Sequence, residues 1–211
     1  MDTGKKIKTI KKWLGAGSIN IFGAPFAGKD TQGHRLAKEL DAILLGGGDI
    51  LRGAGMPEHI KNMMKTGQLI PTDDYLELVL PYLSRASFED KPLVLSSVGR
   101  WQGEESGVIK ATSAAGHPIK AVLYLNISEE TVWQRWEHAD SVRSRGKRAD
   151  DNYEAILVRL KEFKDKTLPV IDFYRSQNLL IEMDSEQPTD VVTEAILDSL
   201  LGFLEKSAQE R

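Results

Sequence analysis

Cysteine is absent from the 211-residue chain, which excludes disulfides and any thiolate-ligated zinc or iron–sulfur centre. Long apolar runs are missing too. None approaches the roughly 18 residues that a membrane span needs, and no apolar h-region stands near the N-terminus. There is no internal repeat and no low-complexity linker. Net charge is unevenly spread: the formal total is −3, and residues 1–17 hold five lysines against Asp2, a local +4 that leaves −7 for the rest. A mildly acidic body argues against a nucleic-acid partner. These absences lead to the expectation of a cytoplasmic protein that neither spans a membrane nor binds nucleic acid. What is present, 41% hydrophobic and 28% charged residues, suffices for one substantial core with room for a small inserted subdomain.

One stretch carries the strongest chemical signal. Gly23-Ala24-Pro25-Phe26-Ala27-Gly28-Lys29-Asp30-Thr31-Gln32 follows the apolar run Ile19-Asn20-Ile21-Phe22 and opens into a helical pattern. Small residues spaced as Gly, four residues, Gly-Lys let backbone N–H groups turn inward as an anion cradle. Lys29 then reaches the outer phosphates, and the helix that follows adds the positive end of its dipole. Asp30 stands where a Ser or Thr is usual, so a hydroxyl on Mg²⁺ has to come from Thr31. An ordinary loop is the competing explanation, and the flanking strand and helix argue against it.

The remaining pattern alternates strands and helices. Residues 5–14 place Ile7, Ile10, Trp13 and Leu14 on one helical face and lysines on the others, which suits an amphipathic helix packed on the domain better than one lying on a membrane. Strands are expected at 19–22, 42–45, 92–98, 119–127 and 179–183, with helices over 31–40, 57–66, 103–115, from Ser128, from Tyr153 with an interruption at Pro169, and from Thr189. A further helix after Asp73 and Asp74 carries Leu76, Val79, Leu80 and Leu83 at helical spacing, with a kink at Pro81. The result is a single α/β domain over 18–211 with a five-stranded parallel sheet, preceded by the basic helix of 1–17. Segments 46–71 and 137–149 fit sheet-packing helices least and are the candidate inserts. Gly46 to Arg52 lies at the end of the second strand, where open parallel sheets bind ligands, and Ser96, Ser97 and Arg100 lie at the end of the third. Arg143, Arg145, Lys147 and Arg148 form the densest basic run of the body, closing on Asp150-Asp151-Asn152, and Arg159 lies about three turns from Arg148.

These motifs together resemble the adenylate kinase family of nucleoside monophosphate kinases in its short-lid form, over about 18–190. Gly23 to Gln32 resembles its Gly-x-Pro-Gly-x-Gly-Lys-Gly-Thr-Gln, with Phe26 and Asp30 in place of two glycines. Gly48-Asp49-Ile50-Leu51-Arg52 resembles Thr-Gly-Asp-Met-Leu-Arg, and Gly67-Gln68-Leu69-Ile70-Pro71 resembles Gly-x-Leu-Val-Pro. Arg148-Ala149-Asp150-Asp151-Asn152 with Arg159 resembles the exit of its lid. The resemblance implies reversible transfer of the ATP γ-phosphoryl to a nucleoside monophosphate, AMP first, with Mg²⁺, by a monomer whose partners are small nucleotides. Lys29, Arg52, Arg100, Arg135, Arg148 and Arg159 would be catalytic, with Asp150 and Asp151 orienting arginines or lid closure. Gly23, Ala24, Pro25, Phe26, Ala27, Gly28, Lys29, Asp30, Thr31 and Arg135 would hold the donor. Gly47, Arg52, Gln68, Leu69, Ile70, Ser97, Arg100, Gln102 and Glu104 would hold the acceptor. Mg²⁺ would be met by Thr31 and, through water, by Ser96.

Departures from the family pattern keep two alternatives open. The family's Asp-Gly-Phe-Pro-Arg-Thr reads Ser96-Ser97-Val98-Gly99-Arg100-Trp101 here, so the aspartate that orients Mg²⁺-bound water is Ser96. Its adenine-touching threonine falls on Gly47, and its glutamine falls on Glu104. A kinase acting on a pyrimidine or deoxynucleoside monophosphate is one alternative, and a nucleotide-binding module with weak catalysis is the other.

Overall fold

The computed structural model describes residues 2–47, 58–66, 82, 88, 90–142 and 152–209. The expected helix after Asp73, the basic run at 143–148 and most of both candidate inserts lie outside them. Among the described residues, α1 (Thr3–Leu14) precedes β1 (Ser18–Gly23), α2 (Lys29–Leu40), β2 (Ile43–Gly46) and α3 (Glu58–Lys65). Then come β3 (Leu93–Ser96), α4 (Glu104–Ala114), β4 (Ile119–Asn126), α5 (Glu129–Val142) and α6 (Tyr153–Glu162). A π-helical turn at Phe163–Thr167 leads into α7 (Leu168–Ser176), β5 (Leu180–Asp184) and α8 (Thr189–Gln209). Residues 137–142 of the expected second insert continue α5 as helix.

All four strand pairings are parallel, in the order β2-β3-β1-β4-β5. Every residue of β1 is buried, as a central strand covered on both faces requires. Its side chains alternate between two layers. Ile19 and Ile21 join Ile10, Leu14, Leu36, Leu40, Ile196 and Leu200 beneath α1, α2 and α8. Phe22 joins Val122, Tyr124, Val170 and Tyr174 on the side of α7, while Leu93, Leu95 and Val108 pack beside them under α4. The loops at the strand ends therefore leave a three-layer scaffold of sheet and covering helices.

The local devices are readable residue by residue. Trp13 meets Phe203 edge-on at 6.2 Å, and Lys6 pairs with Asp198 at 2.5 Å, so α1 docks on α8 through its apolar face. Complete burial of Ile10 and Leu14 contributes about 1.5–3 kcal/mol each to that docking. Ser128 accepts from the Thr131 N–H at 3.1 Å and Asn152 from the Ala155 N–H at 2.9 Å, which start α5 and α6. Pro169 sits in the first turn of α7 and supplies no N–H, and the π turn just before it takes up the interruption while the chain keeps its direction.

Candidate active site

The phosphate loop leaves β1 under tight steric control. At Gly23 a Cβ would lie 2.8 Å from the Leu125 carbonyl oxygen and 2.9 Å from Ala27 Cβ, so only glycine fits. The chain then turns through positive φ at Phe26 (61°) and Gly28 (87°). For Phe26 that conformation costs about 1–2 kcal/mol. Packing of its ring beside Ala24, Val132, Ile156 and Leu160 offsets the cost and ties the loop to α5 and α6.

Three loop carbonyls are engaged by donors. Lys29 Nζ donates to the Ala24 carbonyl at 2.7 Å, Arg135 Nη1 to Phe26 at 3.1 Å, and Ser185 Oγ to Ala27 at 2.8 Å. Oxygens that would repel an anion are thereby occupied. The helical ladder of α2 begins with the Gln32 N–H on the Gly28 carbonyl at 2.9 Å, which puts a helix start and its positive dipole end at the loop. Arg135 also donates through Nη2 to the Ser185 carbonyl at 2.6 Å, joining the loop to the β5–α8 connection. Between these parts opens a cavity of about 530 Å³, lined by Phe26, Thr31, Gln134, Arg135, His138 and the segment from Ser185 to Thr189. That volume suits a ligand of nucleoside size.

A second cationic turn leaves β3, the neighbour of β1. Ser97 (φ 54°) and Gly99 (φ 74°) reverse the chain, and a Cβ on Gly99 would strike Val108 Cγ2 at 2.7 Å. Asn20 in β1 clamps the turn by donating to the Val98 carbonyl at 2.8 Å and accepting from the Val98 N–H at 3.4 Å. Glu104 Oε2 accepts from the N–H groups of Arg100 and Trp101 at 2.8 and 3.0 Å, and the Thr167 hydroxyl donates to the Arg100 carbonyl at 3.2 Å. Arg100 is therefore fixed at both ends of its peptide, and Lys166 Nζ lies 3.9 Å from the centroid of the Trp101 ring. Glu104 is only 2% exposed. Burial pushes its carboxyl up to about 7, against the downward pull of the Trp101 and Arg100 amides and of the Arg100 charge.

The expected residues fall into four groups. Gly23 to Thr31 and Arg135 converge on the phosphate loop and cavity, while Ser96, Ser97, Arg100, Gln102 and Glu104 form or flank the β3 turn. Gly47 lies beside that turn, since a Cβ there would stand 3.2 Å from the Ser97 carbonyl oxygen. Glu104 spends one carboxylate oxygen on the Arg100 turn, a task that sequence spacing does not reveal. Arg159 is half-buried on α6, which aromatic contacts join to α5: Tyr153 lies 5.1 Å from Trp133 and 6.1 Å from Trp136 between ring centroids. Arg52, Gln68, Leu69, Ile70, Arg148, Asp150 and Asp151 lie outside the described residues. Sequence reasoning missed Asn20, Thr167 and Ser185. A polar residue inside Ile19-Asn20-Ile21-Phe22 was the available signal for the first, and no local signal marks the other two.

A family model described as "Adenylate kinase" matches residues 21–179, from the middle of β1 to the edge of β5. The chain belongs to the adenylate kinase family. Among its relatives, an adenylate kinase of Stenotrophomonas maltophilia is 29% identical over 86% of this chain and 98% of its own length. An adenylate kinase of Thermus thermophilus is 30% identical over 83% and 92%. A uridylate kinase of Schizosaccharomyces pombe is 31% identical over 88% and 98%. The adenylate kinase match thus covers both cationic turns, and the five-stranded parallel sheet is the architecture expected from the resemblance.

Proposed function

We propose that the protein transfers the γ-phosphoryl of ATP reversibly to a nucleoside monophosphate, AMP first, giving two diphosphates. One observation carries the reading: a phosphate loop with Lys29 and a fixed turn bearing Arg100 leave adjacent parallel strands, so two phosphate-binding groups stand at the same edge of the sheet. The family match and its adenylate kinase relatives support the same reading.

In this reaction an oxygen of the acceptor phosphate attacks the γ-phosphorus while the bond to the β-phosphate oxygen breaks. Such a transfer requires in-line placement and cationic stabilisation, and no covalent nucleophile on the protein. Lys29 leaves its contact with Ala24 to meet the donor phosphates, and the loop amides hold them. The cavity beside Arg135 receives the donor base and ribose. Arg100, held by Glu104 and Thr167, binds the acceptor phosphate, and Arg159 stands on the helix packed against α5. Arg52 and Arg148 complete the cationic set in this reading, with Gln68, Leu69 and Ile70 at the acceptor nucleoside.

Mg²⁺ suits the donor set at the loop. Thr31, Asp30 and Ser96 offer hard oxygen atoms, and Ser96 Oγ lies 3.4 Å from Asp30 Oδ1. When bound, the ion offsets the negative charge of the donor phosphates. ATP and Mg²⁺ as the cofactor pair are part of this reading, as are a single-chain working unit and a cytoplasmic location.

A second reading keeps the chemistry and changes the acceptor base. Gly47 and Glu104 favour it, because the family's base-contacting threonine and glutamine fall on them, and the uridylate kinase relative is compatible with it. Incubation of each ribo- and deoxynucleoside monophosphate with ATP and Mg²⁺, followed by diphosphate formation, decides between the two. AMP as the best acceptor supports the main reading, and a pyrimidine acceptor supports the second.

A further inference from the structure

Two departures from the family pattern meet at one point. Asp30 stands in the first turn of α2, where the family has glycine, and Ser96 ends β3, where the family has aspartate. Ile21 and Ser96 are register partners between β1 and β3, so the residue ending β3 sits beside the strand that feeds the phosphate loop. Ser96 Oγ donates to Asp30 Oδ1 at 3.4 Å. A carboxylate absent from the strand end is present on the facing helix start, in contact with the residue that replaced it.

We infer that Asp30, held by Ser96, is the carboxylate that orients the hydrated divalent cation of a metal–nucleotide at the phosphate loop, so that the two departures form a single compensated exchange. The inference rests on the reading of the loop as a nucleotide site. Electrostatics supports it. A negative charge next to Lys29 weakens the attraction of the cradle for a bare polyphosphate, and it becomes favourable when the polyphosphate arrives with a divalent cation. Mg²⁺ keeps several of its waters, so a carboxylate can act on it through them without direct ligation. The alternative is that Asp30 merely complements the dipole of α2, which favours an acidic residue in the first turn of any helix.

Calorimetric titration of the full chain with ATP, in EDTA and in saturating Mg²⁺, separates the two. The quantity read is the ratio of the metal-free Kd to the Mg²⁺ Kd. In Asp30→Asn this ratio should fall about tenfold, the lower end of what outer-shell metal partners contribute, with metal-free ATP binding tighter and Mg–ATP binding weaker. The exchanged pair Asp30→Gly with Ser96→Asp should restore the ratio to within about twofold of wild type. Ser96→Ala, which removes only the hydroxyl, should lower it in the same direction by less, and serves as the test should Asp30→Asn fail to fold. An unchanged ratio in Asp30→Asn, or equal shifts for both forms of ATP, overturns the inference while leaving the nucleotide site intact. Absence of ATP binding by the wild type overturns the phosphate-loop reading and this inference with it.

Discussion

Replacing Glu104 with glutamine probes how the Arg100 turn is held. Glutamine keeps an oxygen for the Arg100 and Trp101 amides and removes the ionisable group. In the wild type, burial raises the Glu104 carboxyl from 4.5 to about 7. Between those values the folded protein keeps a proton that the unfolded chain has released, so stability falls as pH rises. The contribution is fully present below 4.5 and is lost as pH climbs through about 7. At about 1.4 kcal/mol for each pH decade, the loss amounts to about 3 kcal/mol. Glu104→Gln should therefore match the wild type to within about 1 kcal/mol near pH 5 and exceed it by about 3 kcal/mol near pH 8. Urea unfolding followed by tryptophan fluorescence across that range measures the difference. A gap that does not change with pH, or that shrinks toward pH 8, refutes the reasoning.

Three further perturbations follow from the same geometry. Lys29→Ala should lower turnover by about 10²–10³-fold and leave the circular dichroism spectrum and melting temperature nearly unchanged, because the lysine serves charge stabilisation rather than packing. Asn20→Ala leaves both polar groups of Val98 without their buried partner, at about 1–3 kcal/mol, and should raise the KM for the monophosphate more than that for ATP in steady-state kinetics. Leu14→Ala should cost about 2–5 kcal/mol in denaturant unfolding, through loss of packing between α1 and α8, without altering KM for either nucleotide at low temperature.

How far the sequence was legible depended on whether a feature is local. The five strands and the phosphate loop announced themselves through apolar runs and glycine spacing, because burial on both faces and close backbone approach constrain composition directly. Boundaries moved slightly: β3 stops at Ser96, since Ser97 already turns at φ 54°, and α2 starts at Lys29 two residues ahead of expectation. The tasks of Asn20, Thr167 and Ser185 were not legible, because each acts on a backbone group far away in sequence. Phe26 and Asp30 were visible as departures, but their compensations, the α5–α6 cluster and Ser96, emerge only when distant elements pack together. The hold of Glu104 on the Arg100 and Trp101 amides was not legible either, because motif spacing gives position and not orientation.

The central claim is phosphoryl transfer between two nucleotides held at neighbouring strand ends. Its most direct test is diphosphate formation from ATP and Mg²⁺ with a panel of nucleoside monophosphates, resolved by chromatography. The expected result is stoichiometric conversion of ATP and one monophosphate, AMP first, into two diphosphates, with the reverse reaction in the presence of the diphosphates alone. Absence of turnover with every monophosphate, in a protein that still folds, would contradict it.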